Sequence, residues 1–210
     1  MITICPTLTA ETITEYRRQM TMLEAIAGRI HIDMMDGRFT PTQSPTLDQI
    51  SWPKHLVSDI HLMYQQPELY IDEIKALKPN LVVFHYEAEV NHLNFIKALK
   101  SSGIKAGLAI LAPTRVEQVS FLLPELDHIL IFGGHLGYQG GEADLSLTAK
   151  VRQLKQTGLS FEVAWDGGIN DQNARQLIEA GVDVLNVGSF IHKADNPHDA
   201  YAKLEALIVD

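Results

Sequence analysis

Short apolar runs alternate with longer amphipathic stretches along the whole of this 210-residue chain, and this alternation limits the possible folds more than any other feature. The runs are rich in β-branched residues and have the length of buried strands. Strands that alternate with helices form βα units, and βα units build parallel sheets. We predict eight strands, at residues 2–5, 30–34, 57–63, 81–85, 106–111, 128–132, 161–166 and 183–188.

The stretches between the runs have helical periodicity. For example, Ile13, Tyr16, Met20 and Leu23 fall on one helix face. Eight βα units predict an α/β fold of one domain, a single (β/α)8 TIM barrel over residues 1–210, at the short end of such barrels, roughly 200 residues. A doubly wound open sheet is the competing architecture, but it usually has a glycine-rich turn after its first strand. Here Pro-Thr-Leu-Thr follows Cys5, without glycine.

Composition narrows the classes of partner. The formal net charge is −9 with no basic run, which argues against nucleic acid or an anionic membrane surface as the main partner. No stretch of eighteen apolar residues is present and the first residues do not resemble a leader, so we expect a cytoplasmic protein. The single cysteine, Cys5, excludes an internal disulfide. An anionic substrate would need a locally positive site on this acidic chain.

Polar residues mark the ends of several predicted strands. Catalytic groups of a (β/α)8 barrel come from the carboxyl ends of its strands, so these positions are the candidate site. They are Thr7 after the first run, His31 and Asp33 in the second, His61 in the third, His85 at the end of the fourth, Asp166 at the end of the seventh, and Gly188 with Ser189 after the eighth.

A metal site is predicted from four of these residues. His31 and Asp33 are two apart, so both side chains project from one face of their strand, and that face can be the barrel interior. Together with His61 and Asp166 they offer nitrogen and oxygen ligands from three strands. Such a set suits one divalent ion, with zinc, iron(II), manganese or cobalt as the candidates. A lone histidine in a strand is more often a hydrogen-bonded core residue, but two buried carboxylates without a partner would be costly.

Glycine-rich segments follow the last three runs and predict a phosphate site. They are residues 133–141, Gly167-Gly168 and Gly188-Ser189. Backbone N–H groups in such turns bind anions, and the last loops of a barrel frequently hold phosphate. Each glycine pair alone is weak evidence, because turns need glycine in any case. His135 lies in the first segment, in a loop that can close over a substrate.

These motifs together resemble the ribulose-phosphate 3-epimerase family over nearly the whole chain. HIDMMDGRFTP at 31–41, HLM at 61–63 and FHYEAE at 84–89 are similar to the family's metal and fourth-strand motifs. WDGGIN at 165–170 and NVGSFI at 186–191 are similar to its acid-base and phosphate motifs. The resemblance implies a homo-oligomeric isomerase that interconverts D-ribulose 5-phosphate and D-xylulose 5-phosphate by proton abstraction at carbon 3, through an enediolate.

The resemblance also implies a role for each matching residue. His31, Asp33, His61 and Asp166 would bind the metal, and Asp33 and Asp166 would also exchange the proton. Other residues would contact the substrate. These are Thr7, Met35, His61 and Met63 at the reacting centre, and Gly137, Tyr138, Gly140, Gly141, Gly167, Gly168, Gly188 and Ser189 at the phosphate.

Three departures from the family pattern leave the substrate open. The 133–141 loop is one residue longer, Phe132 replaces a methionine, and the segment after Pro41 lacks Phe-Gly. A sister epimerase of allulose 6-phosphate and a non-catalytic sugar-phosphate sensor are therefore alternatives. A related magnesium-dependent decarboxylase or aldolase would carry Asp-x-Lys in place of His31-Ile32-Asp33, and that motif is missing. His85 and Glu87 either support the metal site or make ordinary main-chain contacts.

Overall fold

The computed structural model describes residues 2–134, 136–138 and 140–208, and it contains a closed barrel of eight parallel strands. Each strand pairs with the next along the chain, and the last pairs with the first. The predicted (β/α)8 fold is confirmed. The strands are β1 (Thr3–Thr9), β2 (Arg29–Met35), β3 (Val57–Met63), β4 (Leu81–His85), β5 (Lys105–Ile110), β6 (His128–Phe132), β7 (Glu162–Asp166) and β8 (Val184–Val187).

The first strand differs most from its prediction. The predicted run ends at residue 5, directly before Pro6, and proline lacks the N–H that a central strand needs. In the barrel, β1 continues through Pro6 because it changes its pairing there. Residues from Thr3 to Pro6 pair with β8, and residues from Thr7 to Thr9 pair with β2. This extension carries a second threonine, Thr9, to the mouth of the barrel.

Helices cover the outside of the barrel, although the β2–β3 connection has only a 3-10 turn at Leu47–Gln49. Local signals set several helix ends: Thr12 accepts a hydrogen bond from the Glu15 N–H, and Gly181 has φ of 109° after its helix. The α-helices are α1 (Ile13–Glu24), α2 (Ile71–Leu77), α3 (His92–Lys100), α4 (Val116–Val119), α5 (Thr148–Gln156), α6 (Ala174–Ala180), α7 (Ser189–His192) and α8 (Pro197–Glu205). No helix in the described part of the chain has the length and apolar character needed to cross a bilayer.

Two apolar clusters form because successive strand residues face opposite sides. The larger cluster lies between strands and helices and includes Trp165, which is fully buried. The smaller cluster fills the middle of the barrel. Its members are Cys5, Leu81, Val83, Ala109, Leu130, Ala164 and Val184.

A network of charged residues lies at the amino ends of the strands. Arg29 donates from Nε to Asp59 Oδ2 at 2.7 Å, and its two terminal nitrogens bond the Glu162 carboxylate at 3.0 and 2.8 Å. His128 Nδ1 lies 3.1 Å from Glu162 Oε2, and Asn80 donates to Asp59 Oδ1 at 2.8 Å. The bidentate geometry of the arginine–carboxylate pair is of the strong kind. This network lies at the end of the barrel opposite the candidate site.

Candidate active site

Four side chains from three strands converge at the carboxyl end of the barrel. His31 and Asp33 come from β2, His61 from β3 and Asp166 from β7, and one ligand atom from each lies within 4.8 Å of all the others. His31 Nε2 is 3.5 Å from Asp33 Oδ1 and 3.5 Å from Asp166 Oδ2. His61 Nδ1 is 3.1 Å from Asp33 Oδ1 and 3.9 Å from Asp166 Oδ2. The structure therefore brings the four predicted ligands together in a single cluster.

The register of the strands explains this convergence. Asp33 pairs with His61 across β2 and β3, so both point into the barrel at one level. His31 lies two residues earlier on the same face of β2. Asp166 ends β7, and its side chain is 14% exposed, at the mouth of the barrel.

The two close carboxylates of the cluster would be stabilised by a positive charge between them. Burial and the neighbouring Asp33 carboxylate raise the pKa of Asp166. Burial alone would raise the pKa of Asp33, but the neighbouring His31 and His61 imidazoles outweigh it and hold that pKa well below its usual range. Two carboxylates this close do not both ionise cheaply unless a cation lies between them.

The donor atoms fit a divalent cation. His31 Nε2 is buried and has no hydrogen-bond partner among the described residues, although it faces both carboxylates. Burial lowers the pKa of His61 to about 3, so this imidazole is neutral and has a lone pair to offer. Two imidazole nitrogens and two carboxylate oxygens form the donor set of borderline metals such as zinc, iron(II), manganese or cobalt.

A second layer of side chains holds the cluster in place. His61 Nε2 lies 2.9 Å from His85 Nε2, and His85 Nδ1 lies 3.5 Å from Glu87 Oε2. Glu87 also accepts hydrogen bonds from the Leu111 N–H, at 3.0 Å, and from the Thr114 hydroxyl. Of the two possibilities open for His85, the geometry supports contact with the candidate metal site.

Thr9 is a site residue that sequence reasoning missed. Its hydroxyl donates to Asp33 Oδ2 at 2.5 Å, on the carboxylate oxygen that faces away from the histidines. The predicted first strand ended before it, so nothing in the pattern placed it at the mouth of the barrel. Thr7 lies on the same face of β1, 2% exposed, and its carbonyl accepts a hydrogen bond from His192 Nε2 at 2.7 Å.

A cavity opens above the cluster and encloses about 510 Å³ of empty space, part of it open to solvent. Phe132 lines it, where the family pattern has methionine, and the Phe132 ring lies 5.9 Å from that of His61. Predicted residues on its walls are Thr7, Asp33, Met63, Gly137, Tyr138, Gly140, Asp166, Gly167, Gly168, Gly188 and Ser189.

Three residues predicted to contact the substrate do not line this cavity. His61 lies in the cluster of four and is fully buried. Met35 is buried beside the cavity, and its sulfur accepts a hydrogen bond from the Thr42 hydroxyl at 3.0 Å. Gly141 is not among the described residues that line the cavity. His135 of the same loop lies outside the described residues, so the expectation for it stays a prediction.

The glycines of the sixth and seventh loops are held against each other, backbone to backbone. Gly167 has φ of +110°, and a Cβ there would lie 2.2 Å from Gly134 N. Gly168 has φ of +69°, and a Cβ there would lie 2.1 Å from Ala143 N. Only glycine satisfies both the positive φ and the close approach.

The Lys193 side chain lies beside these loops. A Cβ built on Gly140 would lie 3.6 Å from Lys193 Nζ and 3.9 Å from Ser189 Cβ, so the ammonium group lies at the rim formed by the sixth and eighth loops. Sequence reasoning asked for a locally positive site without naming this residue. Lys193 follows α7, where the chain gives no motif that separates it from other surface lysines.

Comparison with known proteins identifies the family. The model described as the ribulose-phosphate 3 epimerase family matches residues 3–192. The chain is 31% identical over 195 residues to ribulose-phosphate 3-epimerase of Treponema pallidum, covering 89% of each chain. It is 32% identical over 188 residues to the Synechocystis enzyme of that name, covering 85% of this chain and 82% of the relative.

Solved structures share the fold at low identity. 3-Hexulose-6-phosphate synthase from Salmonella typhimurium superposes with a TM-score of 0.74 at 17% identity, covering 99% of each chain. KGPDC from Streptococcus mutans gives a TM-score of 0.71 at 12% identity, covering 99% of this chain and 97% of that one. These likenesses support the barrel fold alone, whereas the sequence matches carry the assignment. The chain therefore belongs to the ribulose-phosphate 3-epimerase family and is an isomerase that acts on a sugar phosphate.

Proposed function

We propose that this protein is a metal-dependent ketose-phosphate 3-epimerase that interconverts D-ribulose 5-phosphate and D-xylulose 5-phosphate. The observation that carries the proposal is the pair Asp33 and Asp166, which approach one cavity from β2 and β7 beside two histidines. Inversion at one carbon needs a group to remove a proton and a second group to return one on the other face. Two carboxylates on separate strands can supply both.

The two carboxylates differ in the way that such a reaction requires. Asp33, whose pKa is lowered, would act as the base, and Asp166, whose pKa is raised, would carry the proton, while a bound cation would lower the pKa of both carboxylates. In the reverse reaction the roles exchange. The Thr9 hydroxyl holds one oxygen of the Asp33 carboxylate, and the other oxygen lies beside His61.

His31, Asp33, His61 and Asp166 would hold the metal, and zinc is the ion that we expect. When bound, the cation would stabilise the negative charge that develops on the substrate oxygens as the carbon 3 proton leaves. His61 binds through Nδ1 only if its proton is on Nε2, and that nitrogen faces His85 Nε2 at 2.9 Å. His85 then accepts at Nε2 and directs its Nδ1–H toward Glu87.

The phosphate end of the substrate would lie on the glycine loops. Gly137, Gly140, Gly167, Gly168 and Gly188 line the cavity on that side, with Tyr138 and Ser189. Their backbone N–H groups suit an anion, and the Lys193 ammonium adds positive charge beside Gly140.

The deciding experiment is epimerisation of D-ribulose 5-phosphate and D-allulose 6-phosphate side by side, by protein as purified, after chelation, and after return of zinc, manganese or iron(II). We expect turnover of ribulose 5-phosphate that chelation abolishes and metal restores. Preference for allulose 6-phosphate would replace the pentulose substrate with the hexulose. Turnover that survives complete metal removal would disprove the metal dependence.

We also propose that residues 1–210 act as one catalytic domain, in the cytoplasm and as a homo-oligomer. The continuous barrel supports the single domain, because every strand pairs with its neighbours in sequence. Sedimentation of the purified protein would test the oligomer, and a monomer at all concentrations would exclude it.

A further inference from the structure

Asn186 is a buried polar residue of the cavity with no role assigned above. It lies on β8, where its register partners are Asp166 on β7 and Cys5 on β1. Its neighbours Leu185 and Val187 belong to the outer apolar cluster, so the Asn186 side chain points into the barrel. It is 2% exposed and lines the same cavity as Asp33 and Asp166.

The amide of Asn186 is unpaired as far as the described residues extend. Neither Nδ2 nor Oδ1 has a hydrogen-bond partner among the described residues, and both atoms are buried. A buried polar group without partners destabilises the folded protein. Apolar side chains such as Leu130 and Val184 fill the barrel just below it, so an apolar residue at this level would suit the core. An amide at this position therefore points to a ligand.

The position of Asn186 along β8 indicates which part of a ligand in the cavity its side chain would contact. It is level with Asp166, the proposed proton-carrying group, and two residues before Gly188 at the proposed phosphate site. Two residues of strand span about 7 Å, since each rises about 3.3 Å. The Asn186 amide thus lies between the reacting centre and the phosphate loops.

We propose that Asn186 is a specificity-determining residue that hydrogen-bonds the carbon 4 hydroxyl of the ketose phosphate. A hydroxyl is both donor and acceptor, and so is the asparagine amide, so one such group can satisfy the amide that the described residues leave unpaired. The proposal rests on the proposed function for the identity of the sugar. It adds a contact that binds the substrate chain rather than the reacting atoms.

The test is a comparison of D-ribulose 5-phosphate with its analogue that lacks the carbon 4 hydroxyl, each titrated calorimetrically into the metal-loaded protein as the equilibrated sugar. We expect wild type to bind the hydroxylated sugar about tenfold or more tightly. In Asn186→Leu, which keeps the side-chain size, this preference falls to about twofold or less. Asn186→Ala should lose it too, and serves if leucine disturbs the barrel.

Asn80→Leu is the matched control, because the Asn80 amide bonds Asp59 at the opposite end of the barrel. This variant should keep the full preference. Equal weakening of both sugars in the Asn186 variants, or an unchanged preference, would overturn the proposal. If wild type discriminates between the sugars but epimerises neither, the proposed function fails while the Asn186 contact stands.

Discussion

Asp33 and Asp166 are the residues whose separate roles are most open to measurement. Replacement of either by asparagine leaves a ligand of the same shape but removes one proton-transfer group. We expect each variant to lose about 10²–10⁴-fold in kcat for epimerisation. Each should still exchange the carbon 3 hydrogen of one epimer with solvent, and the two variants should select opposite epimers. Proton NMR in deuterated water, started separately from each epimer, measures this exchange.

The control for these variants is Asp72→Asn, because Asp72 is exposed on α2, away from the cavity. Its kcat should match wild type. If both aspartate variants exchanged both epimers, a single group would serve the two faces and the two-carboxylate mechanism would be wrong.

His85 gives a second prediction at the residue scale, because it reaches the proposed metal only through His61. Loss of an outer residue of this kind typically costs about 10–100-fold in metal affinity. We expect that loss in His85→Ala, with part of it recovered in His85→Gln, whose amide oxygen can accept from His61. Competition with a chromophoric chelator measures the affinity independently of activity. Unchanged zinc affinity in His85→Ala would show that the contact is only packing.

At the scale of elements, the glycine loops depend on close backbone approach. A Cβ on Gly168 would lie 2.1 Å from Ala143 N, so alanine must push the loop that carries Gly140 and Gly141 away. We expect Gly168→Ala to raise KM for the sugar phosphate at least about tenfold and to weaken inhibition by inorganic phosphate in parallel. Steady-state kinetics with phosphate as a competitor measures both.

Gly158→Ala is the matched control for backbone strain. Gly158 also has a positive φ, +68°, but nothing lies within 4 Å of its Cβ position. Its replacement should cost about 1–2 kcal/mol of stability through strain alone and leave KM unchanged. A similar rise in KM in both variants would mean that the loops respond to lost stability rather than to the clash.

The strands and the four-residue cluster could be predicted from sequence because both follow from the spacing of apolar and polar residues along the chain. Side chains two apart on a strand share a face, and parallel strands end at one edge, so His31, Asp33, His61 and Asp166 were expected at one site. Thr9 could not be predicted, because Pro6 ended the strand pattern while the chain continued by exchanging β8 for β2 as partner.

Contacts that depend on register were also beyond the sequence. Whether His85 faces the main chain or another side chain depends on the level at which β4 pairs with β3, and no local pattern encodes that level. Lys193 likewise reaches Gly140 across loops that are more than fifty residues apart in the chain. The sequence predicts which residues could bind a metal and transfer a proton, whereas the closed barrel determines which other residues contact them.

On the scale of the whole molecule, the residues proposed to bind substrate and the charged residues proposed to stabilise the fold lie at opposite ends of the barrel. The candidate site lies at the carboxyl ends of the strands, and the Arg29 network lies at the amino ends. In the (β/α)8 fold, catalytic residues typically lie at the carboxyl ends of the strands, and residues important for stability lie at the amino ends. Changes in the network should therefore alter unfolding and leave catalysis intact.

The substitution Glu162→Gln tests this separation, and its effect on stability should depend on pH. Burial would raise the pKa of Glu162, but hydrogen bonds from His128 and Arg29 outweigh it and hold the pKa well below its usual range. A carboxylate with a lowered folded pKa adds stability above its unfolded pKa, about 4.3, and loses it as the pH falls toward the folded value. Because the side chain is 40% exposed, solvent screening limits this contribution to about 1 kcal/mol.

We therefore expect urea unfolding to show Glu162→Gln less stable than wild type by that amount from pH 6 to pH 8, whereas the two proteins converge as the pH falls below about 4. Glu179→Gln, at an exposed position on α6, should follow wild type throughout. At 25 °C and pH 7, kcat/KM of Glu162→Gln should stay within about twofold of wild type, because uncoupled distant sites act independently. A stability difference that is the same at every pH would show that packing, rather than the ionised carboxylate, stabilises this end, and a large loss of kcat/KM would show that the two ends of the barrel are coupled.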